Sequence, residues 1–300
     1  MNAAQDLYPS RVEKEENILE RVDPIVYGRP EPAREHALSD AQMAFFEDNG
    51  YLVLPDWLPD MVDPVREELT HLKRKLKGRE ELVLEPDSGN LRSIFAVHEH
   101  SEMIAEVARH PKVLNLVQQI LGSDVYIMQS RVNIKPAFRG KSFPWHSDFE
   151  TWHVEDGMPR MRAVTAWLML DENTEFNGPL YVIPGSHKHF VSCEGKTEQD
   201  NHKQSLRQQM AGVPSPESIE ALTEKGLKGI YGKPGTLVIH ECNLLHGSPD
   251  NISPWPRSIA MFVFNSVENR NQRPFSGLRP RPDYLSSSSQ EPVRTASEET

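Results

Sequence analysis

Apolar and polar positions repeat with two different periods along this chain, and the change falls near residue 125. Ser39-Asp40-Ala41-Gln42 has a capping-box pattern, Ser at the N-cap and Gln at N3, and opens a helix that stops at Gly50. Tyr51-Leu52-Val53-Leu54 then predicts a short strand. Asp63-Pro64 predicts a cap and an N1 proline ahead of Val65, Leu69, Leu72 and Leu76, which share one helical face. Glu67, Glu68, Lys73 and Lys75 between them read as a solvated face. A third helical region, 101–121, is interrupted at His110-Pro111 and closed by Gly122.

Beyond that point the period shortens to two. In Val125 to Ile134, Gln129, Arg131 and Asn133 share one face, and Met128, Val132 and Ile134 share the other. The polar face either meets water or lines a cavity, where it would offer donors and a cation to an anionic ligand. Further strands are predicted at Met161 to Leu170, Leu180 to Ile183, Gly235 to His240 and Ser258 to Asn265, with a turn at Asn177-Gly178-Pro179. The polar excursion 192–230 frames one helix between Ser215 as N-cap, Pro216 at N1 and Gly226 at C′. Its length fits a lid-like insertion or a passive surface one.

The order of elements predicts a mainly β protein with flanking α-helices: helices of 39–121 packed on an antiparallel double-sheet barrel spanning 125–275. Residues 1–37 read as an extended arm over a single domain of 38–285, and 286–300, with its serine run, as a disordered tail. There is no internal repeat.

Composition narrows the function classes. With 37% hydrophobic and 26% charged residues, the 300-residue chain is soluble in type and large enough for one sizeable core. A net charge of −11 argues against a nucleic-acid partner, which needs a basic face. No run approaches the length of a membrane helix, and the first residues show neither a basic nor an apolar leader pattern. Two cysteines, Cys193 and Cys242, exclude a disulfide scaffold and suit a reducing cytoplasm.

The candidate chemistry centres on His146-x-Asp148, bracketed by Phe143, Trp145, Phe149 and Trp152. On a strand, both side chains would project to one face, two-thirds of the two-His-one-carboxylate triad that holds non-haem Fe(II). A hydrogen-bonded structural histidine is the plain competing explanation. A second imidazole must come from afar, and His240 and His246 have equal strand parity. Arg257 opens an apolar strand, where a guanidinium is costly unless a carboxylate meets it. His98, His100, His187 and His189 are read as structural or surface groups, and His153 as turned away from the metal.

Together with Asn177-Gly178-Pro179-Leu180 and Pro184-Gly185-Ser186-His187, the residues His146-x-Asp148, His246-Gly247-Ser248 and Arg257 resemble the phytanoyl-CoA dioxygenase superfamily of Fe(II)/2-oxoglutarate oxygenases. Trp145 to Ala163 is similar to the signature block of its ectoine hydroxylase branch. Leu7 to Arg11, Arg92 to Phe95, Gln129 to Asn133 and Asn265 to Asn269 extend the likeness.

The resemblance implies a jelly roll, or double-stranded β-helix, with Fe(II) on His146, Asp148 and His246, and with 2-oxoglutarate and O2 as cosubstrates. It implies Arg257, Thr165, Asn133, Phe95 and Phe143 around 2-oxoglutarate. Ectoine would meet Gln129, Arg131, Thr151, Trp152, Ala163 and Phe262, and 5-hydroxyectoine would leave a homodimer. Thr165 stands where the branch more often has Ser. His240 stands where it typically has a Phe that walls the substrate pocket, and Trp167 where it has a small residue. This departure leaves a paralogue acting on another small cyclic amino acid open. A zinc hydrolase built on the same three ligands, or a non-catalytic binder of a small zwitterion, would also fit these residues. Arg257 and Phe262 differ by an odd number of positions, so a bulge is predicted between them if both line the pocket.

Overall fold

Two antiparallel sheets face each other across the interior of the molecule, and helices cover the outer face of the larger one. The computed structural model describes residues 6–11, 15–29, 35–85, 88–205 and 211–295. Its strands are β1 Asn17–Glu20, β2 Tyr51–Leu54, β3 Leu82–Leu84, β4 Leu91–Phe95, β5 Val125–Lys135, β6 Phe143–His146 and β7 Ala163–Met169. Then follow β8 Leu180–Val182, β9 His189–Ser192, β10 Lys228–Ile230, β11 Leu237–Glu241, β12 His246–Ser248 and β13 Arg257–Ser266. The helices are α1 Asp40–Asn49, α2 Val62–Lys75, α3 Val97–His100, α4 Glu102–Arg109, α5 Pro111–Leu121, α6 Asp148–Asp156, α7 His202–Ser205 and α8 Pro216–Ala221.

The major sheet runs β2-β11-β7-β13-β5-β4-β3 and the minor sheet β10-β8-β12-β6. This is the jelly roll expected from the sequence. Period-two alternation divides the major sheet between two environments. Val164, Ala166 and Leu168 of β7 and Ala260, Phe262 and Phe264 of β13 pack under Phe46, Leu72, Ile104, Val113 and Val117 of the helices. The opposite face sends Trp167, Met169 and Met261 against Val182 and Ile230 of the minor sheet. Burying each such side chain stabilises by roughly 1.5–3 kcal/mol, and this helix-covered layer is where most of that gain lies.

Local signals set the helix ends. The capping box of Ser39 and Gln42 forms, with Gly50 left-handed (φ 81°) at the C-cap. Ser101 caps α4, His110-Pro111 separates α4 from α5, and Gly122 (φ 61°) ends α5. Helix α2 departs from expectation. It starts at Val62, continuing a 3₁₀ turn at Pro59–Met61, so Asp63 and Pro64 lie inside its first turn and do not cap it. Helix α8 has its Ser215 cap and N1 proline but ends at Ala221 with Leu222 as C-cap. Gly226 instead makes the following turn, its N–H donating to Thr223 O at 2.8 Å.

The arm is sewn to the barrel. β1 pairs with β9, Tyr8 is fully buried, and the Arg11 guanidinium joins Glu150 at 2.9 Å and Glu155 at 2.5 Å, all three buried. The tail corrects the sequence reading over 286–295. Ser287 and Val293 donate their backbone N–H groups to Met128 and Val125 of β5, each at 2.8 Å, and Val293 joins the main core. The expected disorder at 296–300 lies outside the described residues. Cys193 and Cys242 are free and buried. No helix among the described residues is long and apolar enough to cross a membrane.

Candidate metal and cosubstrate site

His146 ends β6, but Asp148 is not on a strand. Ser147 turns the chain and caps α6, accepting from the Glu150 N–H, so Asp148 is the first residue of the helix. The i, i+2 strand geometry expected of the pair is therefore replaced by a strand-to-helix junction. The junction still brings them together, with His146 Nε2 3.6 Å from Asp148 Oδ1. β12 pairs with β6 so that His246 stands opposite His146, the ring centroids 4.2 Å apart. One donor atom from each of His146, Asp148 and His246 falls within a set no more than 4.8 Å across. The choice left open between His240 and His246 falls to His246.

The histidine orientations suit a cation. His146 Nδ1 lies 2.9 Å from Pro144 O, and His246 Nδ1 2.9 Å from Leu244 O. A carbonyl only accepts, so both protons sit on Nδ1 and both Nε2 lone pairs aim at the carboxylate. Two lone pairs facing a carboxylate repel it unless a cation lies between them, and two imidazoles with one carboxylate are a donor set for divalent iron. Burial, reinforced by His146, pushes His246 down to about 3, keeping it neutral and able to ligate. Desolvation would raise Asp148, yet it is held well below the ordinary carboxylate range, an anion ready to ligate.

A cavity between the sheets opens onto this centre. Gln129, Arg131 and Asn133 all line it, which decides for the cavity face of β5, and Phe95, Phe143, Thr151, Trp152, His240 and Arg257 line it too. Arg257 is buried, and among the described residues its Nε and Nη2 donate only to Gly178 O, at 3.2 and 3.0 Å, in the predicted Asn177-Gly178-Pro179 turn. Desolvation, and then Arg131, push it down to about 10. Arg131 donates from Nε to Met261 Sδ at 2.8 Å and lies 5.8 Å from the Phe95 ring centroid. Neither guanidinium has a carboxylate within salt-bridge distance among the described residues. By contrast, Arg92 is paired with Glu85 and Arg281 with Asp156.

Three expected contacts are not at the cavity surface. Phe262 is in the helix-covered core, because the register irregularity falls between Val263 and Phe264, one step past it. The predicted bulge between Arg257 and Phe262 is absent, and Met261 takes the lining position. The same irregularity moves Met128 out of the face of Val132 and into the cluster around Phe149 and Trp152. Ala163 packs in that cluster as well. Thr165 lies beneath the lining, fully buried, its hydroxyl without a hydrogen-bond partner among the described residues.

Sequence reasoning missed Lys135, which continues the odd-numbered face of β5 and donates to Pro249 O. Extending the period by one step would have found it. It also missed the rim, where Arg11, Glu155, Asn201 and Arg281 come from the arm, α6, the 192–230 insertion and the C-terminal segment. No local signal marks these. His153 is turned away as expected, bonded to Met158 O at 2.8 Å and Asp6 at 2.9 Å. His98 and His187 are held by Ser130 and by Glu47 O.

The sequence profile of the phytanoyl-CoA dioxygenase (PhyH) family matches residues 46–259. The ectoine dioxygenase of Bordetella bronchiseptica is 46% identical over 291 residues, covering 95% of this chain and 93% of that protein. A crystal structure of EctD from S. alaskensis with 2-oxoglutarate and 5-hydroxyectoine is 41% identical with a TM-score of 0.85, covering 97% of this chain and 98% of that one. The same protein with bound Fe gives 40% and 0.85 over the same shares.

Proposed function

The chain belongs to the phytanoyl-CoA dioxygenase family, and from that premise we propose that it is an Fe(II)- and 2-oxoglutarate-dependent dioxygenase hydroxylating ectoine to 5-hydroxyectoine. One observation carries the reading. A buried His146-Asp148-His246 cluster with both imidazole lone pairs turned inward shares a cavity with two guanidiniums, Arg257 and Arg131, that have no carboxylate within salt-bridge distance among the described residues. A buried cation without a counter-ion is unfavourable until an anion arrives, and the reaction brings two carboxylate ligands.

His146, Asp148 and His246 would hold the metal. When bound, iron with 2-oxoglutarate and O2 supplies the oxidation: 2-oxoglutarate is converted to succinate and CO2, and one oxygen atom enters a substrate C–H bond. The protein's own work is binding, orientation and exclusion of water. The free N–H groups of Arg257 receive the far carboxylate of 2-oxoglutarate, a bidentate match for a planar fork. Phe143, edge-on to His146 at 4.8 Å, closes that end against solvent. Arg131 takes the ectoine carboxylate, while Trp152 offers an aromatic face to its delocalised cation. We also assign the enzyme to the cytoplasm, as two buried free thiols suit, and take it as a homodimer, which light scattering would check.

Succinate release from 2-oxoglutarate under air, measured with and without ectoine, tests the reading. Ectoine should stimulate succinate formation and be recovered carrying one added oxygen. Succinate formed at the same rate without ectoine, with ectoine unchanged, would leave a dioxygenase of a different substrate. No succinate from the iron-loaded protein would remove the oxygenase itself.

A further inference from the structure

His240 and Trp167 sit where the substrate wall was expected, yet their geometry points at the metal centre. Both are inward-facing residues of neighbouring strands: β11 pairs with β7 so that Val238 stands opposite Trp167 and His240 opposite Thr165. Both are almost fully buried. Trp167 Nε1 lies 3.2 Å from His240 Nδ1, and His240 Nε2 lies 3.5 Å from Asp148 Oδ2, the long limit of a hydrogen bond.

The indole N–H can only donate, so His240 Nδ1 must accept, and the imidazole proton is placed on Nε2. Nε2–H then points at Asp148. This is the reverse of the tautomer at His146 and His246, whose Nδ1 protons go to backbone carbonyls and whose Nε2 lone pairs face inward. Three imidazoles therefore surround one carboxylate, two presenting lone pairs and one presenting a donor. His240 is thus unsuited to be a third imidazole ligand and suited to hold the carboxylate that ligates.

We propose that Trp167 and His240 form a hydrogen-bonded relay that pins Oδ2 of Asp148 and sets the plane of this metal-binding carboxylate. His240 is a positioning residue, and Trp167 acts through it by fixing the tautomer. The inference rests on the metal reading of the triad and not on the identity of the organic substrate. Side chains that orient a metal ligand in this way typically contribute 10- to 100-fold to metal affinity.

The test is Co(II) binding to the full chain after chelation and desalting, followed by calorimetry and by the visible absorption of the bound ion. His240→Phe, which keeps the bulk and removes the donor, should weaken Co(II) about 10-fold or more and shift the absorption. Trp167→Phe should give a smaller loss, and His240→Gln, whose amide can donate to Oδ2, should recover most of the affinity. Thermal melts of the metal-free variants separate loss of metal from loss of fold. If His240→Phe fails to fold, Trp167→Phe and His240→Gln still decide the matter. Wild-type affinity and spectrum in both His240→Phe and Trp167→Phe would overturn the relay. Co(II) binding unaffected by Asp148→Ala would instead overturn the metal reading, and the relay with it.

Discussion

Replacing Arg257 by Met should leave the free protein at least as stable and nearly abolish its affinity for 2-oxoglutarate. The guanidinium is buried, has Gly178 O as its hydrogen-bond acceptor, and is driven down to about 10 from 12.5 by desolvation and by Arg131. At 1.36 kcal/mol per pKa unit, keeping it charged costs the free fold about 3 kcal/mol. Removing it relieves that cost but strands the Gly178 carbonyl, which loses about 1–3 kcal/mol. The net expectation is a free form between unchanged and about 2 kcal/mol more stable. Binding should move the other way. Truncating one partner of a desolvated, hydrogen-bonded charge pair costs about 2–5 kcal/mol, or roughly 30- to several-thousand-fold in Kd. Calorimetric titration with 2-oxoglutarate in the presence of a redox-inert divalent metal reads the second effect, and urea melts of the ligand-free protein the first. A variant that binds 2-oxoglutarate within threefold of wild type would refute the assignment. One that unfolds several kcal/mol more easily would show that Arg257 is a structural cation.

Other side chains give independent checks. Arg131→Met should raise the KM for ectoine about 30-fold, the equivalent of about 2 kcal/mol, while leaving 2-oxoglutarate affinity within a few-fold; the opposite pattern would exchange the two anion sites. Lys135 is pushed down to about 6 by burial and then by Arg257, so the folded chain carries it neutral where the unfolded chain carries it protonated. The cost is fully present below pH 6 and is relieved as pH climbs towards 10.5, so stability of the free protein should rise through that window. Lys135→Met should flatten the rise in urea melts at the two ends of the window; an unchanged slope would clear Lys135 of it. Arg11→Met leaves Glu150 buried without its salt-bridge cation and removes one of two from Glu155, and should destabilise by about 3–5 kcal/mol in chemical denaturation. A loss below about 1 kcal/mol would mean that the arm is not anchored there.

What could be read from residues alone was what is local. Ser39 with Gln42, Ser101, His110-Pro111 and Gly122 end their helices where the pattern places them, because caps and breakers act within one turn. Alternation put Gln129, Arg131 and Asn133 on one face, and topology made it the cavity face. The misses have physical causes. Ser147-x-x-Glu150 is itself a helix-start signal, overlooked beside the attraction of an i, i+2 strand pair, and it moved Asp148 onto a helix. Phe262 lost its place because one residue of β5 is out of step one position further along, and alternation cannot locate a bulge. The serine run at 286–289 has the composition of a disordered tail, yet Ser287 donates its backbone N–H to Met128 of β5 and Val293 joins the main core. The Trp167–His240–Asp148 contact needs the register of β11 on β7, information that no single segment carries.

Anomalous diffraction from crystals prepared without oxygen, in the presence of Fe(II) and 2-oxoglutarate, addresses the metal centre most directly. One iron peak is expected within bonding distance of His146 Nε2, His246 Nε2 and a carboxylate oxygen of Asp148, with the far carboxylate of 2-oxoglutarate on Arg257. Iron bound anywhere else, or 2-oxoglutarate lying away from Arg257, would contradict the account.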